Sequence, residues 1–374
     1  MSSDNSQKDF NKYFENTYKE NCPNFDEHVN IALVGKVSAG KSSLLNAILD
    51  CSREEPIAEV GAGSGVTTKV TPFKLDEHVL IIDCPGLDDV RQENSDVTVN
   101  FLNSIDLGIF VVTGSADASQ KENFDDLNHS SKKTFVVLNK IDEWDDLEES
   151  AYEEVVKQWK SVLGVEQIYG TCTKGFDPKM KKSAPMDIRG VEELKIDIFN
   201  FLETEGKDIL LARHLKNKEK YAIGIIATAI LAVTGEAFVP GSAAYITATQ
   251  VVALTSLNYL YTGEVLSKGS ALSLLPSFVG QSIGTNAFLW AKSFLPPTLI
   301  LDMTAAIIAV IITFAMLAAV KWMLENEQSL SDRELLKKTF LHFKKLGDIF
   351  KDIQFNDLKN KNNIIALLGK LLAK

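Results

Sequence analysis

Residues 29–50 read VNIALVGKVSAGKSSLLNAILD, and no other stretch limits the possible folds so tightly. An apolar run stops at a glycine, a short loop of small and polar residues follows, and a second apolar run begins at helical spacing. A strand that passes through a glycine-rich loop straight into a helix belongs to a parallel α/β sheet. The pattern then repeats. Apolar runs at 78–84 (HVLIIDC), 107–113 (LGIFVVT), 133–139 (KTFVVLN) and 167–171 (QIYGT) each end near a turn signal. Helical patterns fall at 41–50, 95–104, 117–129, 148–163 and 189–203. A sixth strand, 69–75 (KVTPFKL), is more polar and carries Pro72, as an edge strand would.

The chemistry sits at the ends of these runs. GKVSAGKS at 35–42 has the GxxxxGK[ST] form, directly after a strand and opening a helix. Gly35, Ser38, Ala39, Gly40, Lys41, Ser42 and Ser43 form a loop whose N–H groups face phosphate, aided by the helix N-terminus. Lys41 bridges the β- and γ-phosphates, and the Ser42 hydroxyl binds Mg²⁺. DCPG at 83–86 ends the strand HVLII, so Asp83 can complete the metal shell and the Gly86 N–H can meet the γ-phosphate. NKID at 139–142 offers the Asp142 carboxylate to the N1–H and exocyclic amine of guanine, a donor pair that adenine lacks. Asn139 braces the loops and the Lys140 stem lies on the base. In TCTK at 171–174, N–H groups of Thr171 and Cys172 can reach the guanine O6, unless this is an ordinary loop.

GKVSAGKSSLLNAIL, VTTK at 66–69, DCPGL at 83–87 and NKID together resemble the translation-factor-related P-loop GTPases, in particular their Era-like, dynamin-like and immunity-related branches. The resemblance covers residues 28–205. It implies GTP and GDP as ligands with Mg²⁺, and a threonine that closes over the γ-phosphate and metal, Thr67 or, by preference, Thr68. Lys41, Ser42, Thr68, Gly86 and Ser38 are the expected catalytic set; Ser42, Thr68 and Asp83 are the expected metal set. One departure bears on rate. Leu87 stands where Ras-like relatives carry a glutamine that orients water, so intrinsic hydrolysis should be slow. Some relatives compensate with a bound K⁺ or Na⁺ and a homodimer across the nucleotide faces, and Ser38 occupies the cation-binding position.

The second half of the chain reads differently. From Tyr221 to Val320 the only charged residues are Glu236, Glu264, Lys268, Lys292 and Asp302. Three uncharged runs, 237–263, 269–291 and 303–320, fill this region, and the last is long enough to approach the thickness of a bilayer core. Gly280 and Gly284 have the GxxxG spacing of close helix packing, while Pro240, Pro276, Pro296 and Pro297 interrupt the region. Two readings stand: a membrane-inserting domain, or an unusually apolar buried bundle. In composition and in its EAFVPG…Q spacing the region resembles the apolar helical domain appended to some bacterial Era-like GTPases.

After Ser331 the pattern is amphipathic and basic. SDRE at 331–334 resembles a capping box, and residues 331–374 carry +5, leaving −16 for the rest of the chain's −11. An acidic body argues against a nucleic-acid platform, and a basic tail after an apolar region suggests a membrane surface. The tail helix is expected either in the membrane interface or packed on the GTPase domain. Near the start, Phe10, Tyr13, Phe14 and Tyr18 mark a helix that packs on a neighbour. Cys22, Cys51, Cys84 and Cys172 lack any metal or disulfide spacing.

The expected organisation is an N-terminal helix (1–27), an α/β P-loop GTPase domain with a mostly parallel six-stranded sheet (28–205), an all-α, strongly apolar helical domain (206–330) and a basic tail (331–374). The expected setting is the cytoplasmic face of a membrane, peripheral or with an even number of spans. Membrane lipid, a second copy and a protein effector are the candidate partners.

Overall fold

The computed structural model describes residues 2–58, 71–88, 90, 101, 102, 104–181, 183–279 and 299–372. The VTTK segment with Thr67 and Thr68, most of the 95–104 helix, the GxxxG pair and Pro296–Pro297 lie outside them. The chain divides into two compact units, Asn24–Asn217 and Met1–Pro23 with Lys218–Lys374. Helix α1 (Ser2–Asn21) belongs to the second of these.

In the first unit six strands form one sheet: β1 (Val29–Val34), β2 (Thr71–Lys74), β3 (Val79–Cys84), β4 (Ile105–Val112), β5 (Ser131–Asn139) and β6 (Tyr169–Thr171). Their order is β2-β3-β1-β4-β5-β6. All neighbours are parallel except β2, which runs antiparallel to β3 at the edge, with Pro72 opposite Ile82. An edge is where a residue without an N–H costs no ladder bond. Strands β1 and β4 are buried almost throughout, the signature of strands covered on both faces.

Helices α2 (Lys41–Ile48), α3 (Lys121–Ser130), α4 (Glu149–Leu163), α5 (Val191–Thr204) and α6 (Asp208–Ala212) belong to the same unit. Trp159 and Leu163 of α4 join Phe110, Phe124 and Leu138 in the core of one face. The unit runs past residue 205 because α6 buries Ile209, Leu210, Leu211 and Ala212, and the Lys216 N–H then donates to Leu49 O at 3.0 Å. The parallel register sets Leu33 beside Asp83 and Asn139 beside Thr171. The sequence motifs therefore emerge together along the C-terminal edge of the sheet, where open α/β sheets bind ligands.

The second unit is helical: α1, α7 (Glu219–Glu236), α8 (Ser242–Thr262), α9 (Lys268–Val279), α10 (Leu299–Glu325), α11 (Arg333–Gly347) and α12 (Lys361–Leu372). Phe14 of α1 is buried against Ala244, Ala248 and Val251 of α8, and Tyr13 stacks on Tyr245 at 5.4 Å. Helix α10 supplies the centre: every residue from Ala309 to Lys321 is buried. Among the described residues, Met303–Glu325 is the one stretch long and apolar enough to cross a membrane. Its apolarity is matched here by protein, as expected of a helix surrounded by its own bundle.

The tail helix α11 belongs to the helical unit and packs on α10. It turns Leu336, Phe340 and Phe343 inward, and Phe314 of α10 meets Phe343 and then Phe350 at ring-centre distances of 6.3 and 5.3 Å. Its cap also differs from the expected box. Asp332, not Ser331, is the N-cap and accepts from the Leu335 N–H at 3.0 Å, while the Ser331 hydroxyl pairs with Ser329. Either residue can cap a helix, and the side chain one position later has the N–H within reach.

Candidate nucleotide site

The loop between β1 and α2 is held by close approach and by unusual backbone. A Cβ on Gly35 would fall 2.2 Å from Val111 O, and one on Gly40, at φ +86°, would fall 2.3 Å from Asn139 Nδ2. Neither position accepts a larger residue. Ser38 and Lys140 adopt positive φ of 65° and 64° despite carrying side chains. Such strain persists only where surrounding contacts impose it, and it concentrates at functional sites.

The Lys41 ammonium is buried at the centre of this loop. It donates to Gly35 O at 2.8 Å and Lys36 O at 3.2 Å, and lies 3.3 Å from Asp83 Oδ1. Ser42 Oγ donates to Asp83 Oδ2 at 3.1 Å. Burial pushes the Asp83 carboxyl up from its usual range, against the pull of Lys41 and Ser42. Asp83 Oδ1 is itself buried and, among the described residues, has only the Lys41 ammonium beside it, with no well-formed hydrogen bond. A buried carboxylate with one oxygen free of well-formed hydrogen bonds, beside a serine hydroxyl, suits a hard divalent cation, so Ser42 and Asp83 fit Mg²⁺.

Asn139 ties the edge together. Fully buried at the end of β5, it donates through Nδ2 to Ala39 O (2.9 Å) and Thr173 Oγ1 (3.1 Å). Its Oδ1 accepts from Thr171 Oγ1 (3.1 Å) and Thr173 Oγ1 (3.2 Å). The phosphate loop, the end of β5 and the loop after β6 therefore share one amide. Beyond it, Asp142 sits in a 3-10 turn (Ile141–Trp144), 3.3 Å from Lys174 Nζ. Cys172 is buried, and burial raises its thiol to about 11. Its backbone pairs with Arg189 in both directions, at 2.9 and 3.0 Å.

Gly86 lies against α3, where a Cβ would come within 2.9 Å of Asn123 Oδ1. Leu87, the next residue, is completely buried in the core with Cys84, Val90 and Phe124. It faces away from solvent as well as lacking a polar group. Thr68 lies outside the described residues.

Several residues here carry no signal that the motifs reveal. Thr173 and Lys174 stand in TCTK, but their links to Asn139 and Asp142 appear only in three dimensions. Lys36 of the phosphate loop pairs with Asp117, which holds that carboxyl down at about 2. Asn46 of α2 is buried and pins the following chain: Oδ1 accepts from the Ile57 and Ala58 N–H groups at 2.9 Å each, and Nδ2 donates to Ala58 O at 2.7 Å.

A strand–loop–helix phosphate cradle, a metal-compatible Ser–Asp pair and an NKID corner along one sheet edge have the arrangement of a P-loop GTPase domain. Comparison with known proteins agrees. Residues 30–140 match the family model described as 50S ribosome-binding GTPase. The chain is similar to the tRNA modification GTPase MnmE of Campylobacter jejuni, 38% identical over 187 residues, 48% of this chain and 36% of that protein. It is also similar to the GTPase Der of Campylobacter fetus, 34% identical over 125 residues, 32% of this chain and 27% of that protein. The chain thus spans about a third of the length of these relatives. The LeoA bacterial dynamin GTPase from ETEC aligns over 93% of this chain and 91% of its own, at 12% identity and a TM-score of 0.34.

Proposed function

We propose that this protein binds GTP with Mg²⁺, hydrolyses it slowly, and uses the bound nucleotide to control its apolar helical unit at a membrane surface. The observation that carries the nucleotide half is the Asn139 amide. It joins the phosphate loop to the base-side loop, with Asp142 presented beside it. In this reading the Gly35, Ser38, Ala39, Gly40 and Ser43 backbone cradles phosphate, and Lys41 meets the β- and γ-phosphates. Ser42 and Asp83, with Thr68, hold Mg²⁺, which neutralises charge on the phosphates when bound. Asp142 accepts from guanine, Lys140 lies along the ring, and the Thr171–Cys172 backbone faces O6.

Turnover is slow because Leu87 is buried in the core and cannot place water. Ser38 is the candidate ligand for an assisting K⁺ or Na⁺, and the exposed Val37 beside it suits contact with a second GTPase domain. Turnover equal in K⁺, Na⁺ and Cs⁺, and independent of protein concentration, would exclude this assistance.

The membrane half rests on charge and composition. The exposed face of α11 carries Lys338, His342 and Lys345, beside the exposed Ile349, in a chain that is otherwise acidic. Because α10 is wrapped by its own bundle, the reading favours peripheral attachment at the cytoplasmic face over stable spanning. The same closed bundle supports a second reading, a switch that recruits a protein effector. The relatives' work on tRNA is not carried over, since the acidic body is unsuited to nucleic acid. Flotation with anionic and neutral vesicles, in GDP and in a non-hydrolysable GTP analogue, separates the two. Nucleotide-dependent flotation on anionic vesicles supports the first; none under any condition leaves the effector reading.

A further inference from the structure

Just past the phosphate helix α2, the chain turns at Asp50 (φ 56°) and presents Arg53. The Arg53 guanidinium donates to main-chain carbonyls of one distant loop: Nε to Gly175 O at 2.6 Å, and Nη1 to Lys181 O at 2.9 Å and Ala184 O at 3.0 Å. Nη2 reaches Pro185 O at 3.5 Å. This loop opens directly from the base-side corner. Gly175 follows Lys174, which pairs with Asp142, and Thr173, which bonds Asn139. It closes at Arg189, whose backbone pairs with Cys172.

We infer that Arg53 is a positioning residue for guanine binding, fixing the base-side loop to the far end of the helix whose near end holds the phosphates. The inference rests on the guanine reading above. In this role Arg53 acts through Gly175 rather than on the nucleotide directly. That glycine is already boxed in, its N–H donating to Asp187 O at 3.0 Å and a Cβ there meeting Asp187 N at 3.0 Å. With Gly175 O pulled by a guanidinium and Gly175 N held across the loop, the backbone on either side of Lys174 has little freedom. The Thr173 and Cys172 amides and the Lys174 ammonium are placed as a consequence. A guanidinium aims five donors in a fixed planar fork at carbonyls spread along a loop, whereas the three donors of a lysine leave one compact centre. Asn46 secures the intervening chain by its bonds to Ile57 and Ala58, so Arg53 projects from an anchored segment.

The consequence is kinetic. The base and phosphate halves of the site are joined by Asn139 on one side and Arg53 on the other, so releasing the guanine corner requires breaking charge-assisted bonds. Loss of such bonds corresponds to about tenfold faster release.

The test is stopped-flow release of N-methylanthraniloyl-GDP from the full chain in wild type, R53K and R53Q, with KM and kcat for GTP and the thermal midpoint of each. The expected result is release about tenfold faster in R53Q and intermediate in R53K, with KM raised and kcat changed far less. A midpoint that falls while release and KM stay within about twofold of wild type would show a purely structural role and overturn the inference. If R53Q does not fold, unchanged release in R53K overturns it equally. Wild type that fails to bind the labelled GDP would sink the guanine reading itself, whereas normal wild-type binding with unaltered variants sinks only the role of Arg53.

Discussion

At the scale of single residues, the site depends on buried polar groups held by side-chain and main-chain hydrogen bonds. Asn139 is the extreme case, since replacing it with alanine leaves Ala39 O, Thr171 and Thr173 without their common partner. N139A should therefore lose about 1–3 kcal/mol of stability, read by urea denaturation, together with most nucleotide affinity. A different carboxylate gives a pH-dependent signature. Burial opposes the charge on Asp76, yet the His78 N–H, His214, the Val79 N–H and Arg213 outweigh it and hold its carboxyl below the usual range. Its bonds to the His78 and Val79 N–H groups, at 2.7 and 2.8 Å, shape the β2–β3 turn. A lowered pKa contributes stability above the unfolded value that is lost as pH falls through the folded one. D76N should accordingly be less stable than wild type at neutral pH, by no more than about 1 kcal/mol because the group is partly exposed. The gap should close as the solution is acidified below the carboxylate range, and a gap that persisted there would contradict the assignment.

At the scale of elements, legibility varied with how far chemistry constrains sequence. Strand β1, its loop and α2 were readable because phosphate binding demands glycines, a lysine and a hydroxyl in fixed order. Edge strand β2 was readable from Pro72. The base-side loop was not, because Arg53 grips carbonyls and any residue supplies a carbonyl. The cap of α11 fell one residue later than expected, since serine and aspartate in succession compete for the same N–H. Leu87 carries the sharpest element-level prediction. Its side chain packs into the core beneath the DCPG turn, so L87Q should not restore fast hydrolysis. It should instead bury an unpaired amide and cost about 1–3 kcal/mol, seen as a fall in thermal midpoint with no gain in kcat. In the helical unit, F314A removes the ring that α11 and the following turn clasp, and should cost about 3–5 kcal/mol.

At the scale of the whole molecule, two units of unlike composition share one chain. The α/β unit followed directly from the spacing of its motifs, but the state of the apolar unit did not. A helix that is apolar on every side reads alike whether lipid or protein surrounds it, and only the packing of α7, α8 and α11 around α10 distinguishes them. The helices at the two ends of the chain, α1 and α12, both belong to that bundle. If the exposed lysines of α11 are the membrane contact, K338E/K345E should abolish flotation on anionic vesicles while leaving GTP turnover in solution intact.

The claim on which all of this stands is guanine-specific nucleotide binding, and calorimetric titration of the full chain with GTP, GDP and ATP in Mg²⁺ tests it most directly. GTP and GDP should bind with no measurable binding of ATP, and a D142A variant should lose guanine affinity by at least about tenfold. Equal affinity for ATP and GTP, or a D142A variant that binds GTP like the wild type, would contradict it.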